Sequence, residues 1–316
     1  MMELLIEPWG WGDWMWRGLL ASVLAAVPLA VLGVFLYLRR MSLIADALSH
    51  VALPGIVAAF LLTGSMEPLP MLGGAAVAGL GAAWMIQILS EQPGIKSDAA
   101  IGIVFTALFA IGVILLSTVV RDAHIDTQCL LFGNVLAISD RALWMLGVVA
   151  PVVLVLVAVF YRWLSASSFD PRLAAGIGIP VAAVHYGLMT TVSITTVAAF
   201  ESVGAILAIA LMIVPAATAH LLANRLPTMI GIAVLHGIVS SVIGLYLSVW
   251  INGSTAGAIV VVGGVLYLLA FLFAPNHGRA VQAYRKWRRR EDAPPSDPSR
   301  FPLAPSRSRP SRLGGD

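Results

Sequence analysis

Charged side chains are scarce in this 316-residue chain. Asp, Glu, Lys and Arg make up 11% of it, where a soluble domain carries about a quarter. That deficit excludes most soluble enzymes and nucleic-acid readers, which need a charged, hydrated surface, and it excludes general disorder. Cysteine is almost missing as well. Cys129 alone permits neither an internal disulfide framework nor a CxxC metal or redox site. No G-x-x-x-x-G-K-[ST] occurs, and neither Lys96 nor Lys286 follows a glycine, so ATP has no P-loop to bind. H-E-x-x-H and G-x-S-x-G are also absent, which leaves intramembrane hydrolysis without support. The first 16 residues lack a basic n-region and carry Glu3, Glu7 and Asp13. A cleaved signal peptide is therefore not expected, and the first span is expected to act as an uncleaved insertion signal.

What the chain has instead is apolar length. Hydrophobic residues make up 59% of it and the mean hydropathy is +0.92. A bilayer core takes roughly 20 apolar residues per helix. Segments that meet this run at 18–38, 43–63, 70–90, 99–120, 142–161, 181–199, 202–223, 228–250 and 255–273. The expected fold is an all-α polytopic membrane bundle of eight or nine transmembrane helices, with a turn around Glu201 separating the two least distinct segments. With the N-terminus outside, the inner loops hold Arg39, Arg40, Lys96, Arg162, Arg172 and Arg225, and ten more cations follow residue 278. Only Arg17, Arg121 and Arg141 remain outside. This bias predicts a cytoplasmic C-terminus, which nine spans satisfy and eight do not.

Two regions are expected, a transmembrane domain over 1–277 and a tail over 278–316. The tail is rich in Pro, Ser and Arg, with the cationic run Arg285, Lys286, Arg288, Arg289 and Arg290. It is expected to meet anionic lipid near 279–290 and to be disordered beyond. Trp9, Trp11, Trp14 and Trp16 precede the first span and suit the headgroup zone. The dense run Gly73–Ala83 and the pair Gly253 and Gly257, a GxxxG, are expected to let helices approach closely.

An ionisable residue inside a span is costly and is a functional candidate by default. Asp46 and His50 are the clearest pair. Four residues apart, they share one helix face a turn from each other. Counted from Arg40, Asp46 lies ~9 Å deep and His50 ~15 Å, near the midplane of the bilayer core. Pro54 has no N–H for the carbonyl of His50, so a carboxylate, an imidazole and a freed carbonyl lie close together. Carboxylate with imidazole suits Mn(II), Fe(II) or Zn(II) and not Cu(I). One such pair is half a coordination sphere, and two copies across a subunit interface would complete it. Position alone leaves open a buried Asp–His hydrogen bond that only fixes packing.

Other residues carry less. His124 and Asp126 sit on the outer side, where they could collect a cation at an entrance or simply be a solvated loop. Glu201 is read as a turn or interfacial residue, with a gate role as the alternative. His220 is expected near headgroups. His236 is deep, but a lone histidine in a span is commonly satisfied by a neighbouring helix. His185 and His277 read as peripheral, and the methionines form no thioether track.

Beyond single residues, the chain resembles the permease subunit of bacterial ATP-binding-cassette importers for zinc, manganese and iron(II). The likeness begins at Arg39-Arg-Met-Ser-Leu-Ile-Ala-Asp-Ala-Leu-Ser-His-Val-Ala-Leu-Pro-Gly55. It continues through Asp98-Ala-Ala-Ile-Gly-Ile, His124-Ile-Asp, Leu131-Phe-Gly-Asn-Val-Leu and Ser168-Phe-Asp-Pro. Val203-Gly-Ala-Ile-Leu and Met212-Ile-Val-Pro-Ala-Ala-Thr-Ala219 follow, so it covers about residues 17–277. The resemblance implies a permease dimer with the metal path along its axis, two cytoplasmic ATPase subunits and an extracytoplasmic metal-binding protein. It implies that Asp46 and His50 handle the metal. It also implies that Asp170, Pro171, Ala174 and Gly178, matching D-P-x-x-A-x-x-x-G, form the segment that couples to the ATPase. His124-Ile-Asp126 and Phe273-Ala-Pro-Asn-His277 lean toward the manganese, zinc and iron branch. The basic tail is longer than the family needs.

The reading is an inner-membrane subunit of an ATP-driven importer for a divalent transition metal, working by alternating access. It is not itself an enzyme. Mn2+, Zn2+ or Fe2+ is carried rather than kept, no cofactor is bound permanently, and the partners are protein subunits and lipid, not nucleic acid. An ion-coupled secondary metal transporter is one alternative, although it should show several buried carboxylates and an internal repeat. A permease for a metal chelate is another, and it needs a wide cavity without a close ligand pair. A purely structural membrane protein would leave Asp46 unexplained at such depth.

Overall fold

The computed structural model describes residues 12–64, 67–90, 92–119 and 138–274. Within them the chain forms α1 (Asp13–Leu38), α2 (Ser42–Thr63), α3 (Pro68–Ser90), α4 (Ser97–Val119) and α5 (Asp140–Val159). Two short helices follow, α6 (Tyr161–Phe169) and α7 (Pro171–Gly176). Then come α8 (Val181–Val203), α9 (Ala205–Leu222), α10 (Leu226–Ile251) and α11 (Thr255–Phe273). No strand occurs among the described residues. All but α6 and α7 are long and apolar enough to cross a bilayer, nine candidate spans among the described residues. His124, Asp126, His277 and the tail lie outside the described residues.

One boundary differs from the expectation. The turn placed around Glu201 is helical: α8 runs on to Val203, and the break falls at Gly204, with φ 86° and ψ 158°. A charge does not end a helix, whereas a backbone angle that only glycine adopts readily does.

The centre of the bundle is α1. Ala21, Ala25, Ala26, Leu29, Ala30, Leu32 and Phe35 are all fully buried and lie all round the helix, as in a core helix rather than a one-faced surface helix. It packs on α9 and α10 along its length and on α5 and α8 at its flanks. Hydrocarbon gives helices no hydrophobic reason to associate, so close backbone approach and dispersion must hold them. Glycine provides that approach at specific crossings. A Cβ at Gly33 would overlap the carbonyl of Met212 on α9, and one at Gly244 would overlap the backbone of Ile259 on α11. Gly55 of α2 and Gly74 of α3 each face the other's carbonyl oxygen.

The expectations for small residues separate accordingly. Gly74 and Gly79 of the dense run lie at crossings, whereas a Cβ at Gly73 or Gly81 would meet nothing within 4 Å. Gly253 and Gly257 do not form a packing GxxxG. Gly253 follows Asn252, whose φ of 50° ends α10, and the amide of Gly257 donates to Ser254 Oγ at the cap of α11. The spacing matches the motif, but its function is the turn.

Polar side chains inside the spans mostly satisfy themselves. Thr190, Thr195, Ser202 and Thr218 donate to the carbonyl four residues back, the usual solution where no water is present. Ser193 reaches across instead and donates to Ala75 O on α3 at 3.3 Å. At one end, Arg17 of α1 and Asp140 of α5 form an ion pair. Both are exposed, so the pair contributes no more than about 1 kcal/mol.

Candidate metal site

Asp46 and His50 stand in the first half of α2, in a helix that starts at Ser42 straight after the tight Arg39–Met41 turn. His50 Nε2 lies 3.6 Å from Asp46 Oδ1. That is too long for a hydrogen bond. It is close to a metal bite, because two ligand atoms each about 2.1 Å from a tetrahedral dication stand about 3.4 Å apart.

The surroundings hold the imidazole in place. Phe105 and Phe109, a turn apart on α4, meet its ring at centroid distances of 5.5 and 5.1 Å, the second edge-on. One turn further along α2, Pro54 presses on Gly112 of α4 so closely that a Cβ there would come 2.8 Å from its Cδ. The proline thus frees the His50 carbonyl and keys α2 into α4 at once. Neither phenylalanine was singled out from the sequence. Their i, i+4 spacing was visible, but in a span made of apolar residues it carries no signal until the partner helix is known.

The pair is open on one side. In the single chain the Asp46 side chain is 46% exposed and that of His50 is 30% exposed. With Leu43 and Leu53 they form a partly exposed stripe along α2. No group of three or more His, Cys, Asp or Glu able to hold a metal occurs among the described residues. One chain therefore presents a single carboxylate and a single imidazole on a partly exposed face of α2. Glu201 belongs to α8, three residues before the break at Gly204.

At the end of the bundle that carries the Arg39–Met41 turn, α7 opens on a capped first turn. Asp170 Oδ1 accepts the amides of Arg172 and Leu173, both at 3.0 Å, and Pro171 begins α7. This is an N-cap with proline at the first helical position. Ala174 is buried at 1% exposure, and Gly178, with φ 85°, turns the chain toward α8. Phe169, Leu173 and Ile177 project outward, each more than 60% exposed.

A connection that the sequence did not suggest ties this segment to α2. Arg39, three residues before α2, donates from Nε to Ser168 Oγ at 3.0 Å and from Nη2 to Ser167 Oγ at 2.8 Å. Burial lowers its guanidinium to about 10, so it stays charged at neutral pH. His185 is not peripheral: it lines the same cavity as Arg39. His220 is exposed and rests against the Tyr37 ring at 5.0 Å. His236 is buried on α10 beside Gly263, and neither ring nitrogen meets a hydrogen-bond partner.

Comparison with known proteins adds the context. The sequence profile of the ABC 3 transport family matches residues 12–274. The manganese transport system membrane protein MntD of Bacillus subtilis is 45% identical over 269 residues, 81% of this chain and 91% of that one. The zinc transport system membrane protein TroD of Treponema pallidum is 42% identical over 270 residues, 82% of this chain and 74% of that one. Among solved structures, PsaBC from Streptococcus pneumoniae in complex with Fab aligns with a TM-score of 0.78 at 35% identity. That alignment covers 91% of this chain and all of the other.

Proposed function

This chain belongs to the ABC 3 transport family, and we propose that it is the membrane-spanning permease of an ATP-driven importer for a divalent first-row metal. Manganese, zinc and iron(II) all suit its ligands. The observation that carries the reading is the Asp46–His50 pair, one turn apart with a 3.6 Å bite, on an open face. A second permease subunit, identical or not, presents its own pair across that face. Two carboxylates and two imidazoles then surround the path. The carboxylates offset the charge of a dication that has lost its water, and the imidazoles give directional nitrogen ligands. Four ligands shared between two subunits let go when the subunits move apart, so binding and release follow alternating access.

Two cytoplasmic ATPases drive that movement, and an extracytoplasmic metal-binding protein delivers the ion. The protein lies in the bacterial inner membrane with its N-terminus outside, as sixteen of nineteen cations on the inner side require. Residues 1–277 form the permease, and the basic tail from 278 adds no transport residue. The ion is cargo and not a resident cofactor. The capped helix α7, with Phe169, Leu173 and Ile177 outward, docks on an ATPase. Its movement reaches Asp46 through the Arg39 clamp on Ser167 and Ser168. His124 and Asp126 serve as an entrance and Glu201 as a gate.

The test is ATP-dependent uptake of radioactive manganese or zinc into proteoliposomes holding the permease with its ATPase. Free metal ions should compete and bulky chelates should not. Uptake without ATPase, driven by a proton gradient, would replace this reading with a secondary transporter; competition by chelates alone would replace it with a chelate permease. A second test isolates the coupling segment. Asp170→Ala removes a cap that contributes about 1 kcal/mol and is expected to lower uptake several-fold at an unchanged amount of permease in the membrane. Unchanged uptake would remove the coupling role.

A further inference from the structure

A proline inside a helix leaves the carbonyl four residues back without its usual donor. In α9 that proline is Pro215, and the carbonyl it frees belongs to Leu211. Hydrocarbon has no bulk water to satisfy such a group, so a neighbouring helix or an ordered water must do so. Leu211 and Pro215, the two ends of the missing bond, both line a small cavity shared by α9, α10 and α11. It measures about 10 Å³, and most of its lining residues are buried.

His236 of α10 lines the same cavity. It is 7% exposed. Among the described residues, its two ring nitrogens and Thr196 Oγ1 are the only buried side-chain polar atoms without a hydrogen-bond partner. A neutral imidazole carries one donor and one acceptor, and burying either unpaired is costly. Cε1, the ring carbon between the two nitrogens, is the atom closest to where a Cβ on Gly263 would stand, at 3.6 Å. The nitrogen-bearing edge of the ring therefore faces α11, and Gly263 is itself part of the cavity wall. The Gly263 backbone acts on the ring electrostatically but does not complete a hydrogen bond with it.

Size and chemistry together decide what fits. Room of about 10–15 Å³ is what a single water needs, so anything larger is excluded. A metal ion has one imidazole here and no carboxylate in the lining, which is far short of a coordination sphere. Cavities that stay empty are walled by apolar groups alone, and this wall includes a buried imidazole and a freed carbonyl.

We propose that this cavity is a binding site for one internal water, which takes the place of the α9 hydrogen bond that Pro215 cannot make. The water donates one hydrogen to the Leu211 carbonyl and the other to the unprotonated ring nitrogen of His236. It thereby joins the bend in α9 to α10. Because α9 also touches α2, the bridge stands one helix away from Asp46 and His50. The site itself does not depend on what is transported.

Hydroxyl radicals made from water by a brief X-ray pulse oxidise side chains that touch water, buried or not. The purified full chain in lipid nanodiscs is irradiated, and the oxidised products are counted by mass spectrometry. Leu207 and Leu211 line the cavity, whereas Leu29 and Leu48 are as deeply buried and lie away from it. One residue type has one intrinsic reactivity, so the first pair should be oxidised several-fold faster than the second. Gly263→Ala fills the space. Its Cβ would stand 3.6 Å from His236 Cε1, 3.7 Å from Ser240 Cβ and 3.9 Å from Val214 Cγ1, which are ordinary contacts. This variant should bring both cavity leucines down to the rate of Leu29. His236→Phe keeps a ring but removes its nitrogens, and it should do the same. Gly264→Ala, whose Cβ meets nothing within 4 Å, should change neither rate. Leu207 and Leu211 oxidised no faster than Leu29 and Leu48 would overturn the proposal and mark a dry cavity. So would fast oxidation that survives both Gly263→Ala and His236→Phe, which marks general water entry rather than a held molecule. Metal uptake enters none of these readings, so a failure of the transport reading leaves them standing.

Discussion

Asp46→Asn is expected to lower ATP-driven metal uptake by more than about 100-fold, since even an outer-shell partner of a metal ligand commonly controls affinity by 10–100-fold. The substitution keeps the volume and removes only the negative charge and one strong donor. Permease abundance, its association with the ATPase and basal ATP hydrolysis should persist, which separates a lost ligand from a lost fold. His50→Gln should act in the same direction, although the ring it removes also rests on Phe105 and Phe109. That part of its effect should appear as a lower unfolding temperature. The two variants together should cost no more than the worse of them, because each alone disables one shared site. Metal bound per purified permease complex, by mass spectrometry, gives the direct check. Wild-type uptake by both single variants would remove the pair from the path and leave its 3.6 Å separation a packing feature.

The second large effect concerns the centre of the bundle. Gly33→Val should leave almost no folded permease in the membrane. The added Cβ would overlap the carbonyl of Met212, which is backbone and cannot swing aside. Overpacking of a tight core costs about 1–3 kcal/mol even when side chains can move, and here α1 and α9 must separate along their whole contact. Gly81→Ala provides the contrast, since its Cβ would meet nothing within 4 Å. It should be neutral or stabilising by up to about 1 kcal/mol, the helix preference of alanine over glycine. Thermal unfolding of the purified variants and the yield of extracted protein read both outcomes. A stable Gly33→Val protein would mean that α1 does not sit against α9 as described.

Much of this protein could be read before any coordinates. Each span is a stretch of about 20 apolar residues, and the constraint is local: hydrocarbon demands that every backbone hydrogen bond close within the helix. The charged exceptions were equally visible, because a carboxylate and an imidazole at i, i+4 share a helix face wherever the helix goes. The cap at Asp170 and Pro171 is likewise made of neighbours in sequence. The expectation that failed locally was the turn at Glu201, where polarity was mistaken for a break that belongs to Gly204.

What one dimension could not encode is which surfaces meet. The candidate spans among the described residues have no distinguishing pattern of apolar faces, since lipid and protein neighbours look alike to a leucine. Gly33, Gly73 and Gly81 are the same residue in similar contexts, yet only Gly33 lies under a neighbouring carbonyl. In the same way, Phe105 and Phe109 met the His50 ring only once α4 lay against α2, and His185 joined Arg39 only once α8 closed over the Arg39–Met41 turn. Length and hydropathy put each segment in the bilayer, because those depend on the solvent. Close approach chose the neighbours, because dispersion and hydrogen bonds act over a few ångströms and join residues far apart in the chain.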